Sequence, residues 1–221
     1  MSADTKQRLL DGALSAIREH GMAGVSARTI AAAAGVNQAL IFYHYGSVDE
    51  LLAAACDAAT AGRVAAYADQ LAKVKSLREL LDVGRYLHAE ERKLGNVMVL
   101  AQLLAGAQRD PKLAEPTAKA LQAWTHEIEG TLSRLLDSSP FAEVADVPGL
   151  ARAVSAAFIG LELYEGVDKA GAEQALAALE QLAVLLEVVE DLGPIARRAL
   201  RARVSKVTKV SKVTRGGRSR G

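Results

Sequence analysis

A short stretch near the N-terminus combines the residue types that contact nucleic acid. In a chain with 4% aromatic residues, three aromatic residues and a histidine occupy four consecutive positions, Phe42, Tyr43, His44 and Tyr45. Gln38 lies one helical turn before Phe42. A glutamine amide pairs with adenine, aromatic and aliphatic side chains pack on thymine methyl groups, and a phenol or imidazole donates to phosphate. The stretch therefore indicates contact with double-stranded DNA.

Two short helices must position these side chains. Ser26 is suited to cap the segment ARTIAAAA, and Gly35 ends that helix after about two turns. Asn37 is suited to cap the next segment, QALIFYHY, and Ser47 with Glu50 forms a capping-box pattern for a longer fourth helix. Two short helices joined at a glycine turn are typical of a helix-turn-helix, whose second helix enters the major groove.

Helical geometry then divides the second helix into a buried line and a wide exposed face. We expect Val36, Ile41 and Tyr45 to point inward, which leaves the remaining side chains for DNA. Gln38 would read a base, Tyr43 would reach phosphate, and the start of the preceding helix would supply a phosphate clamp. The predicted DNA contacts are Arg28, Thr29, Asn37, Gln38, Ala39, Leu40, Phe42, Tyr43 and His44.

Almost every segment before the tail repeats apolar residues at three- and four-residue spacing, without strand alternation or hairpin signals. The predicted fold is all-α, with later helices near 76–93, 96–108, 111–137, 148–170, 172–192 and 194–204. We divide the 221 residues into three parts. They are a helix-turn-helix domain at 3–50, a helical ligand-binding and dimerisation domain at 51–203, and a disordered basic tail at 204–221.

Composition limits the possible functions. The one cysteine, Cys56, lies in an apolar helix, so no disulfide is expected and a soluble, cytoplasmic protein is predicted. Ten of the 27 basic residues follow Pro194 and no acidic residue does, which leaves 17 basic against 26 acidic residues before it. The tail and the body therefore carry opposite charge and favour different partners.

The segment from Leu9 to Leu52 resembles the N-terminal domain of the TetR family of bacterial transcriptional regulators. The matching elements are RLLDGALSAIREHG, VSARTIAAAAGV, LIFYHYGS and DELL, in order and at the family's spacing. The resemblance implies a homodimer whose helical C-terminal domain binds a small molecule and thereby releases a DNA operator. Dimerisation would occur through the apolar helices LARAVSAAFIGLELYEG and AEQALAALEQLAVLLEVVEDLG, and would give a roughly palindromic operator.

The chain departs from the family pattern at four positions. Phe42 stands where tyrosine is usual, Val48 where a lysine usually reaches phosphate, and Gly46 where proline is common. Leu40 is bulkier than the small or hydroxylated residue often found there. We expect these differences to alter operator affinity and sequence more than the mode of docking.

The second domain offers polar and aromatic residues on apolar helices as candidates for a ligand pocket, which would suit a small, mostly apolar molecule. They are Arg85, Tyr86, His88, Gln102, Trp124, His126 and Tyr164. No cofactor is predicted, and Gly130 takes the place of a second histidine in THEIEG, so no metal pair is expected. No catalytic pair is found, so an enzyme is not expected.

Two functions remain. The first is a ligand-responsive transcriptional regulator, a repressor that binds a palindromic operator as a homodimer. The alternative is an architectural DNA-binding protein without an effector, in which the cationic tail dominates and binding is nearly independent of DNA sequence.

Overall fold

The computed structural model describes residues 2–137, 139, 141–142, 145–190, 192–193, 195–196, 198–200 and 202–203. This part of the chain is helical and contains no strand. The helices are α1 (Ser2–His20), α2 (Ala27–Ala34), α3 (Ala39–Tyr45), α4 (Val48–Lys73), α5 (Leu77–Lys93), α6 (Asn96–Ala107), α7 (Pro111–Asp137), α8 (Val147–Glu165) and α9 (Lys169–Glu190), with a 3-10 turn at Met22–Gly24. The predicted all-α class is confirmed.

The contacts divide the chain into two compact units. The first unit comprises residues 1–69 and 85–125, and the second comprises 70–84 and 126–221. These limits fall inside α4, α5 and α7. The predicted boundary between residues 50 and 51 lies in the first turn of α4 and stays a prediction.

The first unit has a core in which α1, α2 and α3 meet. Leu9, Ile17, Ile30, Ile41 and Leu51 are among its largest fully buried side chains. They occupy the three- and four-residue spacing from which the helices were predicted, so each helix gives one apolar line to a shared interior. A seven-residue helix such as α3 is too short to be stable alone, and this burial therefore maintains it.

In the second unit, α8 packs on α9. The buried residues are Ala151 and Glu162 on α8 and include Ala172 and Ala183 on α9. Arg134 of α7 donates from Nη2 to the carbonyl of Leu71 at 2.8 Å and so satisfies the last turn of α4. By length and composition α8 is apolar enough to cross a membrane, a test that helices of soluble proteins also pass.

Most predicted helices agree with the observed ones to within three residues, and α2 and α7 agree at both ends. The predicted end of α8 near 170 is wrong because residues 166–168 form a turn, after which the Asp168 carboxylate accepts from the N–H of Gly171 and caps α9. The predicted helix at 194–204 lies partly outside the described residues, and the predicted tail at 204–221 lies wholly outside them.

Candidate nucleic-acid interface

The interface begins with the close packing of α2 on α1. Gly12 of α1 permits it, since a Cβ at Gly12 would lie 2.7 Å from the Cβ of Ala34. Ser26 caps α2 as predicted, and its hydroxyl accepts from the N–H of Thr29. The Thr29 hydroxyl in return accepts from the N–H of Ser26, which completes a capping box. The N-terminus of α2 is therefore capped by its own residues, and its C-terminus packs closely on α1.

The turn between α2 and α3 is held by Gly35 and Arg8. Gly35 has φ +61°, a left-handed conformation that ends the helix, and its N–H donates to the carbonyl of Ala32. Arg8 of α1 donates from Nε to the carbonyl of Ala34 at 3.1 Å and from Nη2 to the carbonyl of Gly35 at 2.6 Å. Sequence reasoning missed Arg8, because only the fold brings it beside a turn 26 residues away.

Helix α3 is held in place by the side chains on its buried side. Ile41 is fully buried, and Val36 and Tyr45 pack against the same core, as predicted. The Tyr45 hydroxyl donates to the carbonyl of Lys6 at 3.2 Å, and burial raises the pKa of this phenol. At the other end of α3, the Asn37 side chain accepts from the N–H of Ala39 at 2.9 Å. Asn37 thus occupies its predicted capping role, although Gln38 is the residue immediately before the helix.

Phe42 and Tyr43 of α3 face solvent, and His44 beside them is half-buried. Tyr43 is 80% exposed and Phe42 is 52% exposed, and the Tyr43 and His44 rings meet edge to face with centroids 4.8 Å apart. Gln38 and Ala39 are also exposed, at the start of the helix. An amide, two aromatic rings and an imidazole on one free helix face are chemically able to contact base edges and phosphates.

The structure modifies two of the predicted contacts, those of Leu40 and Thr29, and leaves Arg28 as predicted. Leu40 is half-buried and packs against the core, so less of it is available to DNA than the sequence suggested. The Thr29 hydroxyl is engaged in its own cap, where it also lies 3.1 Å from the carbonyl of Gly24. Arg28 is exposed in the first turn of α2. All nine predicted DNA contacts stay predictions.

Two of the predicted ligand residues meet in an aromatic cluster that we define as Tyr67, Tyr86 and Trp124, in the first unit. The Tyr67 ring lies 6.4 Å from that of Tyr86 and 6.2 Å from that of Trp124, between ring centroids. Tyr67 of α4 is buried and was missed by sequence reasoning, because its segment AAYADQ gives no sign of which helices it will face.

A charged pair adjoins the aromatic cluster. Arg63 stacks over the Tyr67 ring at 4.9 Å and donates from Nε to a Glu91 carboxylate oxygen at 2.6 Å. The Tyr67 hydroxyl donates to the same oxygen at 3.0 Å. Burial, followed by the nearby Glu91 carboxylate, raises the pKa of Tyr67, so the phenol stays a donor at neutral pH. Burial lowers the pKa of Arg63, but Glu91 more than compensates and the pKa is raised overall.

The other predicted ligand residues lie elsewhere. Gln102 accepts from the N–H of Met22 at 3.3 Å, so it joins α6 to the 3-10 turn. Arg85 is exposed and His88 is half-buried on α5. His126 and Tyr164 belong to the second unit, where both are exposed.

A shallow groove lies in the second unit, with a volume of about 240 Å³. None of the seven predicted ligand residues lines it. Its lining consists of Gln70, Lys73, Val74, Glu79, Asp82 and Val83.

The comparisons with known proteins agree with this geometry. Residues 9–55 match the sequence model of bacterial regulatory proteins of the tetR family. An HTH-type transcriptional regulator of Mycobacterium tuberculosis (strain ATCC 25618 / H37Rv), itself uncharacterised, is 24% identical over 164 residues, which is 74% of this chain and 84% of the relative.

Two solved structures share the fold over most of the chain. A TetR-family transcriptional regulator from Rhodococcus sp. has a TM-score of 0.70 and 22% identity, and the match covers 83% of this chain and 98% of that one. The multidrug binding protein EbrR, complexed with proflavin, has a TM-score of 0.54 and 27% identity over 79% of this chain and 99% of that one.

The helix-turn-helix fold, with an exposed polar and aromatic face on its second helix, agrees with the comparisons, which support a DNA-binding transcriptional regulator. The N-terminal sequence of the chain matches the family model over residues 9–55, which include α2, α3 and the turn between them. Residues 9–55 form a DNA-binding domain of the tetR family type, and the comparisons support a TetR family regulator.

Proposed function

We propose that the chain is a cytoplasmic repressor that binds a palindromic operator as a homodimer and leaves it when a small, mostly apolar molecule binds. The observation that carries this proposal is the exposed apolar surface of α8 and α9 in the second unit. The palindromic operator follows from the dimer that this surface would form, because the dimer fixes the spacing of the two recognition helices. The effector site is argued from the aromatic cluster of the first unit.

The apolar surface follows one line on each helix. On α8 it includes Leu150, Val154 and Tyr164, and on α9 it includes Leu182 and Leu185, all exposed in the single chain. Small residues between them, including Ala157, Gly160 and Ala178, are also exposed. A monomer rarely leaves such a continuous apolar surface in water. A second copy would cover it as a four-helix bundle, in which small residues allow close approach of the helices.

A two-fold axis at this surface would relate two copies of α3. Symmetric recognition helices read the same bases on opposite strands, so the operator would be a palindrome whose half-site spacing depends on the dimer. Repression follows if the operator overlaps a promoter, because the bound dimer then blocks transcription.

The aromatic cluster is the proposed effector site. Tyr67, Tyr86 and Trp124 offer flat apolar faces, and Arg63 with Glu91 offers a few polar groups beside them, which is the usual composition of a small-molecule site. The complex of EbrR with proflavin supports an aromatic compound as the first probe. The remaining predicted ligand residues, His88 and Tyr164 among them, lie outside this cluster and stay candidates, whereas Gln102 accepts from the N–H of Met22 and is not assigned to the proposed site.

One set of measurements on the purified full-length chain tests the proposal. Sedimentation velocity should give twice the 23.3 kDa of one chain, and duplexes selected by the protein from a random library should share an inverted repeat. Leu182→Glu places a charge in the proposed interface and should give monomers. Lys169→Gln changes the net charge by the same amount at an exposed position outside the apolar line, and should stay dimeric.

The effector part has its own measurement. Proflavin should quench Trp124, the one tryptophan of the chain, and release the selected duplex. A monomer that binds non-palindromic duplexes would contradict the homodimer, and release of DNA without any change in Trp124 emission would contradict the effector site.

A further inference from the structure

A chain of hydrogen bonds leads from the aromatic cluster to α1. Oε1 of Glu91 accepts from Tyr67 and Arg63. Its other carboxylate oxygen, Oε2, accepts from Nδ2 of Asn96 at 2.6 Å. The Oδ1 atom of Asn96 accepts in turn from Nη2 of Arg18 at 3.0 Å. Asn96 is the first residue of α6, and Arg18 lies in the last turn of α1. One amide therefore connects the charged pair beside the cluster with a helix of the DNA-binding domain.

The chemistry of its two partners fixes the orientation of this amide. An arginine only donates hydrogen bonds and an ionised carboxylate only accepts them, so Asn96 must present its oxygen to Arg18 and its nitrogen to Glu91. If the amide rotated by half a turn, its nitrogen would face the Arg18 donor and its oxygen would face the Glu91 acceptor. Both hydrogen bonds would then be lost. Asn96 thus has one orientation that satisfies both neighbours and one that satisfies neither.

The backbone around Asn96 brings the three groups together. Gly95 has φ +71° and makes a tight corner between α5 and α6. Arg18 lies against this corner, since a Cβ at Gly95 would be 3.4 Å from Cδ of Arg18. The Glu91 side chain is only 14% exposed, so its carboxylate has little water to replace a lost partner.

We propose that Asn96 is a positioning residue that couples the aromatic cluster to α1 and so to the operator-binding surface. Any molecule that displaces Tyr67 or Arg63, or that takes the Glu91 carboxylate, moves the acceptor away from Asn96. The amide then turns freely, Arg18 loses this hydrogen-bond partner, and α1 loses its hydrogen bond to the corner between α5 and α6. The coupling between the aromatic cluster and α1 depends on the proposed function in that the chain must bind DNA. It depends on the proposed effector site only if a ligand is to act through it.

A second bond between α6 and the N-terminal segment provides a matched control. Gln102 accepts from the N–H of Met22, but no hydrogen bond from its side chain to the charged pair is observed among the described residues. Asn96→Asp and Gln102→Glu both convert an amide of α6 into a carboxylate and both keep the acceptor toward the N-terminal segment. Only Asn96→Asp removes a donor to Glu91 and sets two carboxylates face to face.

The experiment uses Trp124 as a built-in reporter of the cluster. Coupling between two sites is reciprocal, so if the cluster acts on DNA binding, then DNA binding must act on the cluster. The probe is a duplex selected from a random library by the wild-type chain. Its affinity is measured by anisotropy of a labelled copy, and the Trp124 emission is measured with and without a saturating unlabelled copy. Circular dichroism melting checks that each variant is folded. The new carboxylate of Asn96→Asp lies in the first turn of α6, where its charge interacts favourably with the helix dipole.

We expect the wild type and Gln102→Glu to change their Trp124 emission by similar amounts on binding DNA. Asn96→Asp should lose most of this response while its affinity for the duplex changes by about fivefold or less, the lower end of usual coupling. Glu91→Gln should weaken the response too, because its one amide oxygen cannot accept from both Asn96 and Arg63 as the two carboxylate oxygens do.

Three results would overturn the proposal: a full Trp124 response in Asn96→Asp, an equal loss in Gln102→Glu, or a wild-type emission that saturating DNA leaves unchanged. A wild type that shows no anisotropy change with any duplex would instead contradict operator binding itself, and the coupling with it.

Discussion

Replacing Arg8 by methionine should loosen the turn that presents the recognition helix. Methionine keeps the apolar stem of the side chain but removes the donors that hold the carbonyls of Ala34 and Gly35. These carbonyls end α2, and the positive charge of Arg8 also faces the negative end of the helix dipole. The recognition helix begins four residues after Gly35, so disorder in the turn changes its angle to α2.

The magnitude follows from the environment of the two bonds. A hydrogen bond from a charged donor contributes about 1.5–3 kcal/mol in a protein interior. One of these bonds is part-buried and the other is exposed, so we expect a loss of about 1–2 kcal/mol in the free energy of unfolding. For a domain of this size the melting temperature falls by about 2–8 °C. If only molecules with an ordered turn bind, the dissociation constant rises by about tenfold for every duplex.

Thermal melting and anisotropy titrations with selected and random duplexes measure the two effects. Lys6→Met is the control, because it removes the same charge from an exposed position on α1 without touching the turn. Arg8→Lys should be intermediate, since one ammonium cannot span two carbonyls as a guanidinium fork does. If Arg8→Met melts and binds like Lys6→Met, the turn does not depend on Arg8 and the reasoning is refuted.

Other expected outcomes concern the interface, the cluster and the tail. Gln38→Ala should cost about 1–3 kcal/mol and relax base preference, whereas Tyr43→Ala should weaken all duplexes alike; unchanged isotherms for both would remove α3 from the interface. Substitution of Trp124 by alanine should alter the response of a reporter gene to effector compounds while operator affinity without them stays nearly constant; loss of DNA binding alone would indicate a structural role. Truncation after Arg203 should lower affinity for operator and random DNA by similar factors and flatten the salt dependence; an unchanged salt slope would show that the tail does not touch DNA.

The sequence predicted the helix-turn-helix well because its signals are local. A serine cap, a glycine end and an apolar line at helical spacing act within one or two turns, so Ser26, Gly35 and Ile41 were each assigned the role that the structure gives them. Leu40 was assigned to the exposed face because periodicity over seven residues does not resolve the edge of a buried line.

Contacts between distant segments could not be predicted in the same way. Arg8 and the turn at Ala34 are 26 residues apart, and Tyr67 and Glu91 are 24 apart. Nothing in the sequence near either partner distinguishes these side chains from ordinary surface arginine, tyrosine or glutamate. Their roles depend on the angles at which whole helices cross, and these angles are decided by packing across the unit. The aromatic cluster was therefore predicted only in part. The sequence indicated Tyr86 and Trp124 but not Tyr67, which lies between them.

The two faces of α3 have separate tasks, and this has a consequence for how the protein can diverge. The side chains that maintain the helix, Ile41 and Tyr45, point into the core, whereas Gln38, Phe42 and Tyr43 point to solvent. Exposed substitutions away from such anchors usually change the free energy of unfolding by less than about 0.5 kcal/mol. A duplicated copy of this gene could therefore acquire a new DNA target by a few changes on the outer face, without passing through an unfolded intermediate sequence.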